Sequence, residues 1–254
     1  MADKHLLREV GHLETRCEDC ALFGLCFAQD LSTEERSLLN KILKRQQPVE
    51  RNEHLYHGGQ SLKSVTVVRS GSVKAYQLSN DGDEIVSGFY LPGEIIGLDA
   101  LASGRHPGAA VALENSRTCE IPLKEFVRML HGSPRLNQVM LNLLSEEMAE
   151  TRELLLVVGR LDARTRVALF LLSLSRRLSR RNQDPDQFRL TMDRRDIANY
   201  LGLTIETVSR TLSALQRERV IEVRGKLVNV LDRTKLREQA AKTFEPGQQR
   251  RSAG

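Results

Sequence analysis

Apolar and polar positions change their spacing several times along this chain. The stretch LSTEERSLLNKILKR begins at Leu31 and repeats at helical spacing. Ser32 is placed to cap it, and Glu35, three residues on, completes a capping box. From about 48 to 122 the texture is different. Short Val/Ile/Thr-rich runs such as SVTVVRS and SVKAYQLS are broken by glycines at 58, 59, 71, 82, 88, 93 and 97. This predicts short antiparallel strands in a roll or barrel, with NDGDE at 80–84 as a hairpin tip.

After Pro134 the spacing lengthens again. Asn137, Leu141, Leu144, Met148, Thr151, Leu155 and Val158 recur in alternating steps of four and three, a heptad seam. Leu136, Met140, Leu143 and Leu154 form a second apolar face on the same helix. One face can serve the parent domain and the other a second copy of the chain, although a helix packed wholly on its own domain fits the seam too. A further helix is expected over 163–179, with an Arg-rich end suited to a helix C-terminus. NQDPD then reads as a loop.

Residues 190–230 read LTMDRRDIANYLGLTIETVSRTLSALQRERVIEVRGKLVNV. A short helix over 193–200, a turn at Gly202, and a second helix from Ile205 to Arg219 capped by Thr204 make a helix-turn-helix. The strands VIEVR and LVNVL, joined at Gly225-Lys226, add a wing. Ile205, Val208, Leu212 and Leu215 should be buried. Glu206, Ser209, Arg210 and Ser213 fall on the opposite face.

The expected fold is therefore α+β: an N-terminal antiparallel β-roll, a long dimerisation helix and a C-terminal winged helix-turn-helix. The boundaries read as a cysteine-rich segment at 1–30, the roll at 31–134, the long helix at 135–160, the DNA-binding domain at 161–235 and a disordered tail at 236–254.

Charge sharpens this division. Residues 1–158 carry 17 Lys/Arg against 22 Asp/Glu, and residues 159–254 carry 21 against 11. An acidic front joined to a basic back suits a back half that meets a polyanion. On the second helix, Arg210 can bind guanine O6 and N7, Glu206 can accept from cytosine N4, and Ser209 can reach a base or phosphate. The alternative for Glu206 and Arg210 is a plain surface pair at i,i+4. No apolar run is long enough to span a membrane, and the opening MADKHLLREVGHLE is too polar for a signal peptide, so a cytoplasmic location is expected.

Three of the four cysteines, Cys17, Cys20 and Cys26, fall within ten residues, and the fourth is Cys119. In a reducing compartment this points to metal or redox chemistry rather than disulfides. The spacing denotes a four-thiolate site and leaves zinc and an iron–sulfur cluster both open. Cys119 alone could be a buried strand residue. Leu22, Phe23, Leu25 and Phe27 lie between and beside the cysteines and could shield such a site or anchor the segment.

The segment DIANYLGLTIETVSRTL, with Glu206, Ser209 and Arg210, closely resembles the recognition segment of the CRP/FNR transcription regulators. The order of roll, long helix and winged helix is similar over residues 17–235. Together with Cys17, Cys20, Cys26 and Cys119, it resembles the FNR branch of anaerobic regulators. The resemblance implies a homodimer with one [4Fe-4S] cluster per subunit, sensing oxygen and binding a palindrome similar to TTGAT-N4-ATCAA. It implies that Glu206, Ser209 and Arg210 read the half-site, and that an exposed loop of the roll, with 80–84 as the suspect, touches RNA polymerase. A two-fold dimer would set its recognition helices about 34–36 Å apart.

On that reading, oxygen would unpin the cysteine segment and weaken the seam. Glu146, Glu147, Glu150 and Glu153 would face like charges in a parallel partner. Thr151 stands where relatives can carry an acidic residue, which removes one repulsive pair.

Rival functions lack their residues. The cyclic-nucleotide branch of this superfamily follows its Gly-Glu with an Arg-Ser or Arg-Thr pair. Here Gly93-Glu94 is followed by SGRHPGAAVAL, so no cyclic nucleotide is expected. A ligand-free regulator with structural zinc is the main alternative, and an iron–sulfur electron carrier a weaker one. A Gly-rich phosphate loop, His-Glu-x-x-His and the radical spacing Cys-x3-Cys-x2-Cys are all absent from the sequence, so no enzyme is expected. His54 and His57 should face opposite sides of a strand.

Overall fold

The computed structural model describes residues 16–45 and 48–241. The first half of the cysteine-rich segment and the tail from 242 lie outside them.

Three 3-10 turns (Cys17–Asp19, Phe23–Leu25 and Phe27–Asp30) lead into α1, Thr33–Ile42. The expected capping box is present: the Ser32 hydroxyl accepts from the Glu35 N–H, and Glu35 reaches back to the Ser32 N–H at 2.7 Å. The roll is built from two four-stranded antiparallel sheets. One is ordered β1 (Lys44–Arg45), β8 (Arg117–Pro122), β3 (Ser64–Ser70) and β6 (Ile95–Ile96). The other is ordered β2 (His54–Tyr56), β7 (Ala109–Ala112), β4 (Val73–Leu78) and β5 (Glu84–Tyr90). The β4–β5 hairpin turns within Ser79–Asp83, with Gly82 at φ +86°, where a left-handed residue is needed. All of Asn80–Glu84 is exposed or nearly so, as the sequence predicts.

A short helix, α2 (Leu123–Gly132), precedes the long α3, Pro134–Arg160. Ser133 caps α3 by accepting from the Leu136 N–H, and Pro134 occupies its first position. Leu136 and Met140 are buried in one core with Phe27, Ala28, Leu31, Phe126 and Ile121. The second apolar face of α3 thus serves the roll.

α4 covers Ala163–Ser179, the predicted range, capped by the Asp162 carboxylate. α5 (Arg194–Leu201) and α6 (Ile205–Arg217) form the helix-turn-helix. Strands β10 (Ile221–Arg224) and β11 (Leu227–Val230) form the wing, and a third strand, β9 (Gln187–Arg189), pairs with β11. The sequence reading missed β9. It also drew the tail from 236, whereas α7 runs Arg233–Ala241 with Leu236 fully buried. Leu236 is the one large apolar residue in RTKLREQAA, too few for a periodic signal.

The DNA-binding domain docks on the roll of its own chain. Tyr76, Val86 and Phe89 share a core with α4 and α5. The buried Lys74 ammonium lies 2.8 Å from Asp196 of α5 and 2.6 Å from Glu84. Asn199 of α5 accepts from the Val86 N–H at 2.6 Å and donates to the Glu84 carbonyl. Among the described residues no helix is long and apolar enough to cross a membrane.

Candidate cysteine site and nucleic-acid interface

The three turns bend the N-terminal segment so that its cysteines converge. Cys20 N–H donates to the Cys17 carbonyl and Cys26 N–H to the Leu22 carbonyl. The Cys17 N–H is tied to Asn40 of α1 at 2.9 Å, and Phe27 and Ala28 are buried beneath. Cys119 enters from β8, where it is in register with Val67 of β3 and Arg45 of β1. All four cysteines line one void of about 40 Å³, walled by Leu22, Phe23, Phe27, Leu39 and Val67. Cys17, Cys26 and Cys119 also pack against the core that holds Leu136 and Met140 of α3.

Burial pushes the Cys26 thiol up to about 12, and the neighbouring Cys17, Cys119 and Cys20 sulfurs push the same way. Four soft donors in an apolar wall fit a thiolate-held group. As the side chains stand, no group of three or more His, Cys, Asp or Glu among the described residues is drawn in to hold a single ion. A lone zinc would need sulfurs about 3.8 Å apart, the edge of a tetrahedron with ~2.3 Å bonds. An iron–sulfur cluster holds its four thiolates on separate irons and so tolerates a wider ring.

The histidine expectation fails. His54 and His57 stack with ring centroids 4.3 Å apart, and His54 Nε2 lies 2.9 Å from the Tyr76 hydroxyl. Strand β2 ends at Tyr56, so its alternation no longer governs His57. The pair was missed because a strand end frees the last residue to fold back.

In the helix-turn-helix, Asp193 and Asp196 form a capping box at the start of α5. Gly202 ends that helix at φ +61°. Thr204 caps α6 by accepting from the Thr207 N–H. Val208, Leu212 and Leu215 are buried, whereas Ile205, expected inside, is 39% exposed in the first turn. It lies where the helix has only begun to meet the domain. Glu206, Ser209, Arg210 and Ser213 all face solvent on one side. The Glu206 carboxyl is held below its usual value by a backbone N–H at the helix start and by Thr204, so it stays ionised. Arg210 donates to the Thr207 hydroxyl at 3.3 Å, which keeps the guanidinium along the helix face.

The seam divides. Leu141, Met148 and Leu155 are 59%, 57% and 68% exposed, and Thr151 between them is exposed too. Thr151 turns its hydroxyl onto the Glu147 carbonyl at 2.8 Å, satisfying its polar group within the helix. Leu144 is half-buried against the roll. Val158 faces the helix-turn-helix, where a Cβ on Gly202 would come within 3.0 Å of its Cγ1. Glu146, Glu147 and Glu150 line a cleft between α3, the roll and α4 that also holds Arg177 and Arg180. Burial, reinforced by Asp99, raises the Glu147 carboxyl, whose oxygen lies 3.4 Å from the Tyr90 hydroxyl.

One engaged group has no clear sequence signal. Glu94, from the turn after β5, is half-buried between Arg177 and Arg181 of the α4 region, with Arg181 at 2.6 Å. Burial works to raise its carboxyl, but the Arg177 charge overrides that and lowers it.

This architecture, a roll joined by a long helix to a winged helix-turn-helix, defines a DNA-binding transcription regulator. The Crp-like helix-turn-helix domain matches residues 165–239, and the cyclic nucleotide-binding domain matches residues 46–133. The fumarate and nitrate reduction regulatory protein of Escherichia coli (strain K12) is 37% identical over 243 residues, which is 95% of this chain and 97% of that protein. That of Salmonella typhimurium is 38% identical over 90% of this chain and 92% of its own length. Among solved structures, FixK2 from Bradyrhizobium japonicum superposes with a TM-score of 0.73 at 29% identity, covering 80% of this chain and all of that one. A CRP-family transcriptional regulator of Thermus thermophilus, at 22% identity and a TM-score of 0.63, covers 80% of this chain and all of its own, and shares the fold. The chain belongs to the CRP/FNR family of transcription regulators, and these relatives are regulators rather than enzymes.

Proposed function

We propose that this chain is an oxygen-responsive regulator that binds a palindrome similar to TTGAT-N4-ATCAA as a homodimer and controls anaerobic gene expression. The observation that carries the reading is the convergence of Cys17, Cys20, Cys26 and Cys119 on one void, against the core that seats α3. These four residues would hold a [4Fe-4S] cluster, which would supply an oxygen-reactive iron centre. Leu22, Phe23 and Phe27 wall the void and limit access to it. Phe27 and Ala28 pack in the same core as Leu136 and Met140, so the order of the cysteine segment bears on the footing of the dimer helix.

The exposed row Leu141, Met148, Thr151 and Leu155 is the surface we assign to a second copy. Glu206, Ser209 and Arg210 would read the half-site, and the exposed tip at 80–84 would meet RNA polymerase. Glu94 is committed to Arg177 and Arg181, and the Arg105 guanidinium donates to the Gly59 carbonyl at 2.7 Å. Both engagements support a roll that works without a cyclic nucleotide.

The test is an anaerobic absorption spectrum with iron and sulfide analysis, then admission of air. A visible band, about four irons per chain and bleaching in air, with loss of palindrome binding, are expected. One zinc per chain and a colourless protein would overturn the sensor reading and leave the DNA-binding assignment intact.

A further inference from the structure

The cysteine segment and the DNA-binding domain meet the same four-residue turn from opposite sides. Gly93 has φ +92°, and a Cβ on it would lie 3.2 Å from both Cβ and the carbonyl oxygen of Leu25. The Leu25 backbone therefore rides on Gly93, one residue before Cys26. The Gly93 N–H donates at 2.8 Å to the Val68 carbonyl, and Val68 also lines the cysteine void. On the other side, Arg177 Nη2 donates to the Phe89 carbonyl at 2.6 Å, and Arg181 Nε to the Pro92 carbonyl at 2.7 Å. Glu94 takes both guanidiniums and closes the turn by accepting from the Leu91 N–H at 2.9 Å.

We propose that the Leu91–Glu94 turn is a joint that couples docking of the cysteine segment to docking of the DNA-binding domain within one protomer. Glu94 is its positioning residue. A half-buried carboxylate shared by two guanidiniums tolerates little displacement, because any shift strips charge-assisted hydrogen bonds from groups largely withdrawn from water. A turn held this firmly by α4 presents a fixed Gly93 surface to Leu25. A turn displaced by loss of Leu25 offers Arg177 and Arg181 a poorer grip. The route does not pass through α3 and is separate from dimerisation. It does not depend on what the cysteines hold. Coupling of this kind is reciprocal, so weakening either contact must loosen the other.

The test is amide hydrogen exchange on the full-length chain, comparing native protein with Glu94→Gln and Leu25→Gly. Glu94→Gln is expected to speed exchange about tenfold or more both in 174–181 and in 20–28. Leu25→Gly, which removes the Cβ that rests on Gly93, is expected to act on the same two regions. Lys74→Met, which cuts a different interdomain contact, should loosen α5 and leave 20–28 unchanged. Acceleration confined to 174–181 would overturn the joint, as would no change anywhere. Equal acceleration in β3 and β8 would also overturn it, since that is general loosening. If Glu94→Gln does not fold, Arg181→Gln leaves Arg177 in place and faces the same outcomes.

Discussion

The Lys74 ammonium lies 2.8 Å from the Asp196 carboxylate, and the two residues belong to different domains 122 positions apart. The Asp196 carboxylate also accepts from the Asp193 N–H to complete the capping box of α5, so one carboxylate fixes both the start of the helix-turn-helix and its seat on the roll. The Lys74 ammonium is held charged: burial opposes it, but the Asp196 and Glu84 hydrogen bonds win and raise its pKa. Lys74→Ala leaves Asp196 without its partner in a buried place and should destabilise the chain by about 3 kcal/mol. Glu84→Gln should cost less, because Glu84 is half exposed. Urea denaturation of both variants checks the order.

Cys26 has a direct chemical consequence in the metal-free chain. A thiol raised from 9.0 to about 12 carries about a thousandfold less thiolate near pH 8 than an unshifted one. Iodoacetamide should therefore alkylate Cys26 far more slowly in the folded apo-protein than in urea, as read by mass spectrometry of the labelled peptide.

Arg210→Ala should weaken binding to the palindrome by roughly 1–3 kcal/mol and relax preference at one base pair, while leaving nonspecific binding near its native value. Ser213→Ala should do little, since the Ser213 hydroxyl is spent on the Ser209 carbonyl. Fluorescence anisotropy against matched and mismatched half-sites separates the two effects.

On the exposed row of α3, Leu155→Ala should weaken the dimer about tenfold or more, because each interface would lose this side chain twice. Thr151→Asp places a charge between Met148 and Leu155 and should weaken it further, making dimerisation more dependent on the state of the cysteines. Sedimentation in air compares these variants with the native chain. Equal association for Thr151→Asp and the native protein would show that the seam is indifferent to this position.

Acid should loosen the roll. Burial, with His57 close by, lowers the pKa of His54, and burial lowers that of His106, which stacks on Tyr56 at 3.6 Å. Both prefer the neutral form when folded, so the unfolded chain binds more protons below about pH 6.5. Stability should be full above that value and fall as pH drops through it. Thermal melts at about pH 7.5 and about pH 5.5 should show a smaller drop in His106→Gln than in the native protein.

Much of the molecule was legible before folding. The Ser32–Glu35 box, the Asp193-to-Gly202 helix, the limits of α4 and the hairpin at 80–84 are local signals, each spoken by residues within a turn or two of one another. The readings that failed all required knowledge of a neighbour from elsewhere in the chain. Ile205 looked buried by periodicity, but the domain does not reach the first turn of α6. His54 and His57 meet because β2 stops between them, and α7 exists because Leu236 found a pocket under α4.

The sequence by itself determined the kind of elements, their order, the polarity of the exposed face of α6 and the four thiols. Those follow from side-chain chemistry at fixed spacing along one backbone. Only the tertiary structure decided that Cys119 joins the other three and that Lys74 finds Asp196. It alone set Glu94, a residue the sequence compared with a ligand contact, between Arg177 and Arg181. Such partners lie tens of residues apart, and they are selected by where the whole chain can bury apolar surface without stranding a charge.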